Sequence, residues 1–562
     1  MMQNPRIFLW IALALVLWLN YEAWLRDYTP KPGAVITNTR GAGNSVSAAT
    51  KPRDLSTAVP QASSSRVEAS STPAQTNPTE VIAPPASAGL VHVRTDVFDL
   101  DISEEGGTLQ RVDLPGYPKV KGGNVPVRLM NKDSAETLYL LQMGLTGPAN
   151  TARPTHLAAL SSDRHEYELG NAAELRVPLK WSDGHGVEVT KTYIFRHGQY
   201  RIDVRYDVEN HSGAAWQAAP YAQILRNDPP TKRSMFNVET YAFHGPALYD
   251  GAKYRKLNVK NEEDRHLALE INNGWVAALQ HHFVSAIIPA KDTPYRYTLN
   301  AEGGDYLAST AGPMATVADG ATGKFNQTLY VGPKLQGQLE LTGPRLELVA
   351  DYGKLTILAK PLFWLLQKIH NLFGNWGLAI VIVTFLLKLA FYPLSETSGR
   401  SMAKMKLLAP RIKNLQETYK DDREKLGRAM MELYQREKVN PVAGCLPIII
   451  QIPVFLAFYW VLLESVEMRQ APFMGWINDL SSRDPWFILP IIMAAAMFVQ
   501  YKLNPQVGDP VQQKVMMIMP LGMSVMFAFF PAGLVLYWVT NTLLSIAQQW
   551  NINRRIEAGR KS

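Results

Sequence analysis

The sequence predicts a polytopic α-helical membrane protein of six spans, with a large periplasmic β-sandwich domain and a cytoplasmic helical hairpin. Three observations predict it. First, apolar residues make up 47% of the 562 residues and charged residues only 19%, with long apolar runs at both ends and a polar middle. An average soluble chain is about 25% charged. Second, the middle alternates apolar and polar residues with a period of two, the mark of a sheet with one buried face. Third, lysine and arginine crowd beside the apolar runs, as the positive-inside rule requires of a membrane protein. The net charge of +8 therefore does not read as a nucleic-acid footprint. No zinc, helix-turn-helix or RNA-binding signature accompanies it, so no sequence-specific nucleic-acid partner is expected. A single cysteine, Cys445, excludes an intrachain disulfide framework.

Residues 1–27 hold Arg6 and an apolar run from Ile7 to Leu19. Bulky residues follow it instead of a small-residue cleavage site, so a retained signal-anchor helix is expected over a cleaved signal peptide. Residues 28–88 shift to Pro, Ser, Thr, Ala and Gly. Such a stretch buries too little apolar surface to offset its ordering entropy, which predicts a flexible linker.

Residues 89–350 read as the β domain. Its clearest strand runs from Tyr200 to Val208, where Tyr200, Ile202, Val204, Tyr206 and Val208 alternate with Arg201, Asp203, Arg205 and Asp207. Thr190 to Phe195 precedes it as a partner, with Arg196-His197-Gly198 as the turn. Similar alternation appears from Val91 to Ile102. Residues 351–373 carry Leu362, Phe363, Leu365, Leu366, Ile369 and Leu372 beside Lys360, Gln367, Lys368 and His370. This pattern predicts an amphipathic helix lying in the membrane interface.

Five further spans are expected near 376–394, 446–465, 486–501, 515–530 and 533–550, since about 20 helical residues cross a hydrocarbon core. The segment 396–440 holds eleven lysines and arginines, and Arg554, Arg555, Arg560 and Lys561 end the chain. The loop between the second and third of these spans holds only Arg469 and Arg483, beside Glu464, Glu467, Asp479 and Asp484. Both termini cytoplasmic and the β domain periplasmic satisfies this bias. Within 396–440, Met402, Met405, Leu408, Ile412, Leu415 and Tyr419 form one apolar stripe, and Leu426, Met430 and Leu433 start another after Asp421-Asp422. An antiparallel hairpin follows. Its charged face, including Lys404, Lys406 and Arg411, is either simply solvated or a dock for a ribosome or targeting factor.

No nucleophile elbow, phosphate-binding loop or metal-ligand cluster stands out, so neither an enzyme nor a cofactor is expected. The anomaly is Lys388 inside a predicted span, with Thr384 one turn earlier on the same face. A lysine there costs about 2.5–3.5 kcal/mol on insertion scales and marks function by default. A span ending near 394 puts Lys388 roughly 9 Å from the cytoplasmic end. Its stem covers about two-thirds of that, so snorkelling and a water-filled recess both stay open. Gln451, Gln500, Thr540 and Asn541 add polar groups in other spans; each alone could be interhelical glue, and together with Lys388 they suggest a hydrophilic recess.

Several runs resemble the YidC/Oxa/Alb insertase family. They are Gly374-Asn375-Trp376-Gly377, Tyr392-Pro393-Leu394, Ser401-Met402-Ala403-Lys404-Met405, Glu437-Lys438-Val439-Asn440-Pro441, Gly444-Cys445-Leu446-Pro447, Gln451-Ile452-Pro453, Arg469-Gln470-Ala471-Pro472-Phe473, and Pro531-Ala532-Gly533-Leu534-Val535-Leu536-Tyr537-Trp538. They cover the chain from about 355 to its end. The resemblance implies a five-helix insertase core, here 374–562, around a groove open to cytoplasm and lipid, and a periplasmic domain of β-supersandwich type in the Gram-negative inner membrane. It implies that Lys388, where relatives usually have arginine, attracts the acidic tail of an incoming protein. Lysine keeps the charge but not the bidentate fork. Thr384, Trp538 and Gln500 match groove positions, with Gln451, Tyr537 and Asn541 beside them; Met402, Met405, Lys404, Lys406 and Arg411 fall on the hairpin that would receive substrate or ribosome. The implied partners are nascent membrane proteins, the Sec translocon and its accessory subunits, the ribosome, signal-recognition targeting factors and membrane lipids. A solute transporter built on Lys388, or a membrane-anchored periplasmic carbohydrate-binding module, is the alternative.

Overall fold

The computed structural model describes residues 55–63, 89–149, 151–227, 242–419, 422–437, 439, 446–503 and 510–561. The expected first span, and the expected linker apart from 55–63, lie outside the described residues.

Strand Arg201–Asn210 shows why the sheets form. Ile202, Val204, Tyr206 and Val208 are buried, while Arg201, Asp203, Arg205 and Asp207 face partly outward. It pairs antiparallel with Val187–Arg196, Val189 opposite Val208 and Phe195 opposite Ile202. Gly198 turns the chain between them at φ +72°, a conformation open to glycine. The alternation from Val91 to Ile102 is shared by two strands, Leu90–Arg94 and Asp99–Ser103, paired antiparallel. Thr95 Oγ1 accepts from the Phe98 N–H at 2.9 Å and tightens the turn between them.

Among the described residues, eleven strands form one sheet and eight form another. The first sets Trp216–Asn227 between Tyr139–Thr146 and Asp305–Ala311. The second sets Thr322–Pro333 between Phe283–Ile288 and Arg201–Asn210. The inner faces meet in one core, to which Leu141, Met143, Ile224 and Ala308 contribute from one sheet and Val189, Val204, Tyr206 and Leu329 from the other.

Residues 55–63 correct the expectation of a flexible linker over 28–88. They lie against the outer face of the larger sheet, where Leu55 and Ala58 pack on Leu140, Leu225 and Leu307. Composition weighs only the segment's own ordering cost; it cannot see a second apolar face that needs cover.

Among the described residues, eight helices of fourteen or more residues follow the sheets: α1 Thr356–Phe373, α2 Trp376–Ala390, α3 Tyr392–Thr418, α4 Arg423–Arg436, α5 Leu446–Glu464, α6 Ile488–Leu503, α7 Pro510–Phe527 and α8 Ala532–Lys561. Helix α1 buries Leu362, Phe363, Leu366 and Ile369, whereas Trp364 and Leu372 stay exposed. Its inner face joins Ala379, Ile380 and Val383 of α2, Phe458 and Val461 of α5, and Leu534 and Val535 of α8 in a second core. Phe385, Leu389, Ile491, Ile518, Val525 and Met526 face outward, leaving a broad apolar exterior. Among the described residues no single helix is long and apolar enough to cross a membrane; α2 with Tyr392–Ser401 passes as a pair bent by 65°.

That bend changes the span expected at 376–394. Helix α2 stops at Ala390, because Pro393, in the first turn of α3, has no N–H to donate to the Leu389 carbonyl and its ring crowds that carbonyl. Lys388 therefore stands in the last turn of α2, about 3 Å along the axis from its end rather than 9 Å.

Polar contacts join the sheet domain to the helices. His281 and His282, ring centroids 3.8 Å apart, both donate from Nε2 to the Leu463 carbonyl, at 2.9 and 3.2 Å. Arg469 and Gln470 each donate to the Pro118 carbonyl at 2.8 Å. Buried Lys334 lies 4.0 Å from Glu464.

Candidate functional site: a polar recess among the helices

Asn375 starts the site. It caps α2, its Oδ1 accepting from the Leu378 N–H at 2.9 Å, while its Nδ2 donates to the Phe473 carbonyl at 2.7 Å. This fixes the direction of α2 against the loop after α5. Gly377 lets that loop approach, since a Cβ there would stand 2.2 Å from the Phe473 ring.

Two turns further on, Thr384 and Lys388 point to one side of α2. Thr384 is buried and its hydroxyl donates to the Ile380 carbonyl at 2.6 Å. Lys388 Nζ donates to Ser545 Oγ at 2.8 Å, and Ser545 in turn donates to the Asn541 carbonyl at 2.7 Å. Among the described residues no carboxylate forms an ion pair with Lys388, and the carbonyl-rich end of α2 is a favourable place for a cation.

Thr384, Leu387, Lys388, Phe391, Gln451, Val454, Tyr537 and Asn541 line a small, partly open recess. Five side chains singled out in the sequence, Lys388, Thr384, Gln451, Tyr537 and Asn541, thus come together from α2, α5 and α8. Tyr537 is held by stacking on Phe458, centroids 4.6 Å apart. Trp538 does not line the recess; it packs on Phe455 and Phe527, at 4.7 and 5.2 Å. Gln500, half-buried on α6, is not in the lining either. Successive residues of a helix point about 100° apart, and here the turn from Tyr537 to Trp538 carries the indole away from the recess and onto Phe455 and Phe527. Ser545 was missed by the sequence reading, although it lies one helical turn beyond Asn541.

On the helical pair α3 and α4, Met405, Leu408 and Ile412 pack against Leu433, Tyr434 and Val439. Met405, expected as a contact residue, is a packing residue, because its stripe is the one that meets α4. Lys404 and Arg411 are exposed, and Arg411 pairs with Glu437 at 2.7 Å. The side chains of Met402 and Lys406 lie outside those described.

Two family models match the chain. The YidC periplasmic domain matches residues 90–365, and the 60Kd inner membrane protein matches residues 368–559. The membrane protein insertase YidC of Thioalkalivibrio sulfidiphilus is 45% identical, covering all of both chains. That of Nitrosococcus oceani is 44% identical over 99% of each. The chain belongs to the YidC family of membrane protein insertases. The YidC insertase of Pseudomonas putida strain W619 adds 44% identity over all of this chain and 99% of its own. A solved YidC insertase overlaps 82% of this chain and 94% of its own at 18% identity, with a TM-score of 0.36. The family is bacterial and of the inner membrane, with a periplasmic β-sandwich domain ahead of a helical core. The two matched regions divide within α1, where the sheets have given way to helices.

Proposed function

We propose that this YidC-family chain inserts inner-membrane proteins by lending them the recess around Lys388 as a wet, positively charged halfway station. The observation that carries the reading is a cation set among apolar helices with a hydroxyl as hydrogen-bond partner and no paired carboxylate among the described residues. An acidic or polar flank of an incoming segment supplies the missing partner for a short time. Less bilayer must then be crossed dry, and the barrier to moving that flank falls. The hydrophobic segment leaves into lipid, driven by about 25 cal/mol per Å² of apolar surface removed from water. Thr384, Gln451, Tyr537 and Asn541 shape the recess, and no nucleotide or metal takes part.

The outward apolar residues of α2, α6 and α7 support a lipid-facing core of five spans, to which the apolar run Ile7 to Leu19 adds a signal anchor. The bend of 65° after α2 supports a projecting hairpin of α3 and α4. Its positive charge supports a cytoplasmic hairpin in which Lys404, Lys406 and Arg411 meet substrate or ribosome, with the chain acting alone or beside the Sec translocon. The test is reconstitution of the full chain in liposomes with a single-span client bearing an acidic N-terminal tail. Protease protection is expected with the wild type and Lys388→Arg and lost with Lys388→Glu. Equal protection by all three removes the charge from the mechanism, and none above empty liposomes removes autonomous insertion.

A further inference from the structure

The larger sheet turns three strands outward side by side, and their register builds two rows. Leu140, Leu225 and Leu307 stand opposite one another in the first; Gln142, Gln223 and Ser309 do so in the second. All six are buried, although they face away from the sandwich core. What covers the site is residues 55–63 of the same chain.

The manner of the covering is unusual for a structural strap. Leu55 and Ala58 sit on the leucine row. From Thr57 to Ala62 the chain alternates: Ala58, Pro60 and Ala62 are half-buried while Thr57, Val59 and Gln61 are exposed, and Ser63 after them is buried. The sheet side chains read the strap through its backbone: Gln142 Nε2 donates to the Ser56 carbonyl at 3.4 Å and Gln223 Nε2 to the Ala58 carbonyl at 3.0 Å. His156 Nε2 donates to the Ser56 carbonyl at 2.9 Å, its other ring nitrogen engaged by Tyr221 Oη at 2.7 Å. Ser63 ends the strap, its N–H on the Gly312 carbonyl at 3.0 Å.

Gln223 is also held by Gln142 Oε1 at 2.8 Å, yet its own Oε1 is buried with no hydrogen-bond partner among the described residues. A buried acceptor left unmade is costly. The resident strap therefore fills the groove without saturating it.

We propose that this outer face is a binding groove for extended, uncharged polypeptide, and that residues 55–63 are its resident, displaceable occupant. The ligand class is set by the contacts: an apolar side chain for the leucine row, a small side chain three residues later, and free backbone carbonyls for Gln142, Gln223 and His156. Val59 and Gln61 point to solvent and are not read, so an exported segment of another polypeptide with this spacing competes for the site. The strap holds its place through tethering, because a segment on the same chain acts at a high effective concentration.

The test uses the full chain in detergent and a fluorescein-labelled peptide with the sequence of residues 55–64. Leu55→Asp/Ala58→Asp in the full chain releases the resident strap without touching the sheet. The peptide is expected to bind this variant saturably and at least about tenfold more tightly than the wild type. A peptide changed at its outward positions, Val59→Thr and Gln61→Asn, binds within about twofold of the parent, whereas the Leu55→Asp peptide loses binding. No saturable binding to the strap-released chain, or equal binding of the Leu55→Asp peptide, overturns the groove and leaves a structural staple. A wild-type protease-resistance pattern of the sheet domain in the strap-released chain shows that its sheet is intact, so an absence of binding there reads on the groove and not on misfolding.

Discussion

Lys388 Nζ donates to Ser545 Oγ across 2.8 Å, tying the last turn of α2 to α8 beside the recess. A neutral hydroxyl answers the ammonium without cancelling its charge. Ser545→Ala removes a hydrogen bond worth about 1 kcal/mol net and leaves the charge. Insertion by Ser545→Ala is expected to stay within about threefold of wild type, and Lys388→Ala to fall about tenfold or more, a difference of at least ~0.7 kcal/mol. Initial rates of protease protection in liposomes measure both. Equal losses in the two variants would assign the effect to the hydrogen bond instead of the charge.

The entry to α2 is fixed by Asn375 and Gly377 together. Asn375→Ala removes a cap and the donor to Phe473, a loss of about 1–2 kcal/mol. Asn375→Asp keeps the cap acceptor and loses only the donor, so its loss is smaller. Gly377→Ala drives a methyl into the Phe473 ring, costing about 1–3 kcal/mol unless the loop moves. Thermal unfolding of the detergent-solubilised chain should rank the melting temperatures wild type, Asn375→Asp, Asn375→Ala in descending order.

The sequence made the sheet legible where one face was wet. The alternation of Ile202, Val204, Tyr206 and Val208 could be read directly, because each outward neighbour is charged. Tyr139–Thr146 carries a fainter signal: Leu141, Met143 and Leu145 alternate with Gln142, Gly144 and Thr146, but no outward neighbour is charged, because all eight residues are buried and the strap lies over Leu140 and Gln142. Lys388 was legible because a charge in an apolar run is conspicuous. Its partner Ser545 was not, because a serine in a helix is unremarkable until the fold places it 2.8 Å from an ammonium. The break after Ala390 was written in Tyr392-Pro393, yet apolar composition carried the expected span past it.

The pair α3 and α4 has a small core of its own, which makes it separable from the rest. Ile412 is buried between Leu433 and Tyr434 and Met405 in that cluster. Ile412→Ala is expected to cost about 2–3 kcal/mol locally. Limited proteolysis should then cut within 392–436 faster, while the fragment containing the sheet domain keeps its wild-type resistance. Loss of resistance in the sheet domain as well would show that the two parts are coupled.

Acid should loosen the junction between sheets and helices. Burial pushes the His281 ring down to about 4, with Lys334 and Arg469 adding repulsion, and pushes His282 down as well. Both rings are neutral at pH 7 and donate to the Leu463 carbonyl. Between about pH 4 and 6.5 the unfolded chain takes up protons that the folded junction refuses. Stability therefore falls as pH drops through that window, by roughly 3 kcal/mol for His281 alone. Glu467 opposes this, since burial raises its carboxyl to about 7 and the folded state holds a proton there above pH 4.5. His281→Asn/His282→Asn should flatten the decline in melting temperature between pH 7 and 5. Glu467→Gln should raise the melting temperature at pH 8 and steepen the decline. If the histidine double variant loses stability on acidification as the wild type does, the protons enter elsewhere and the His281–His282 pair is not the acid-sensitive element.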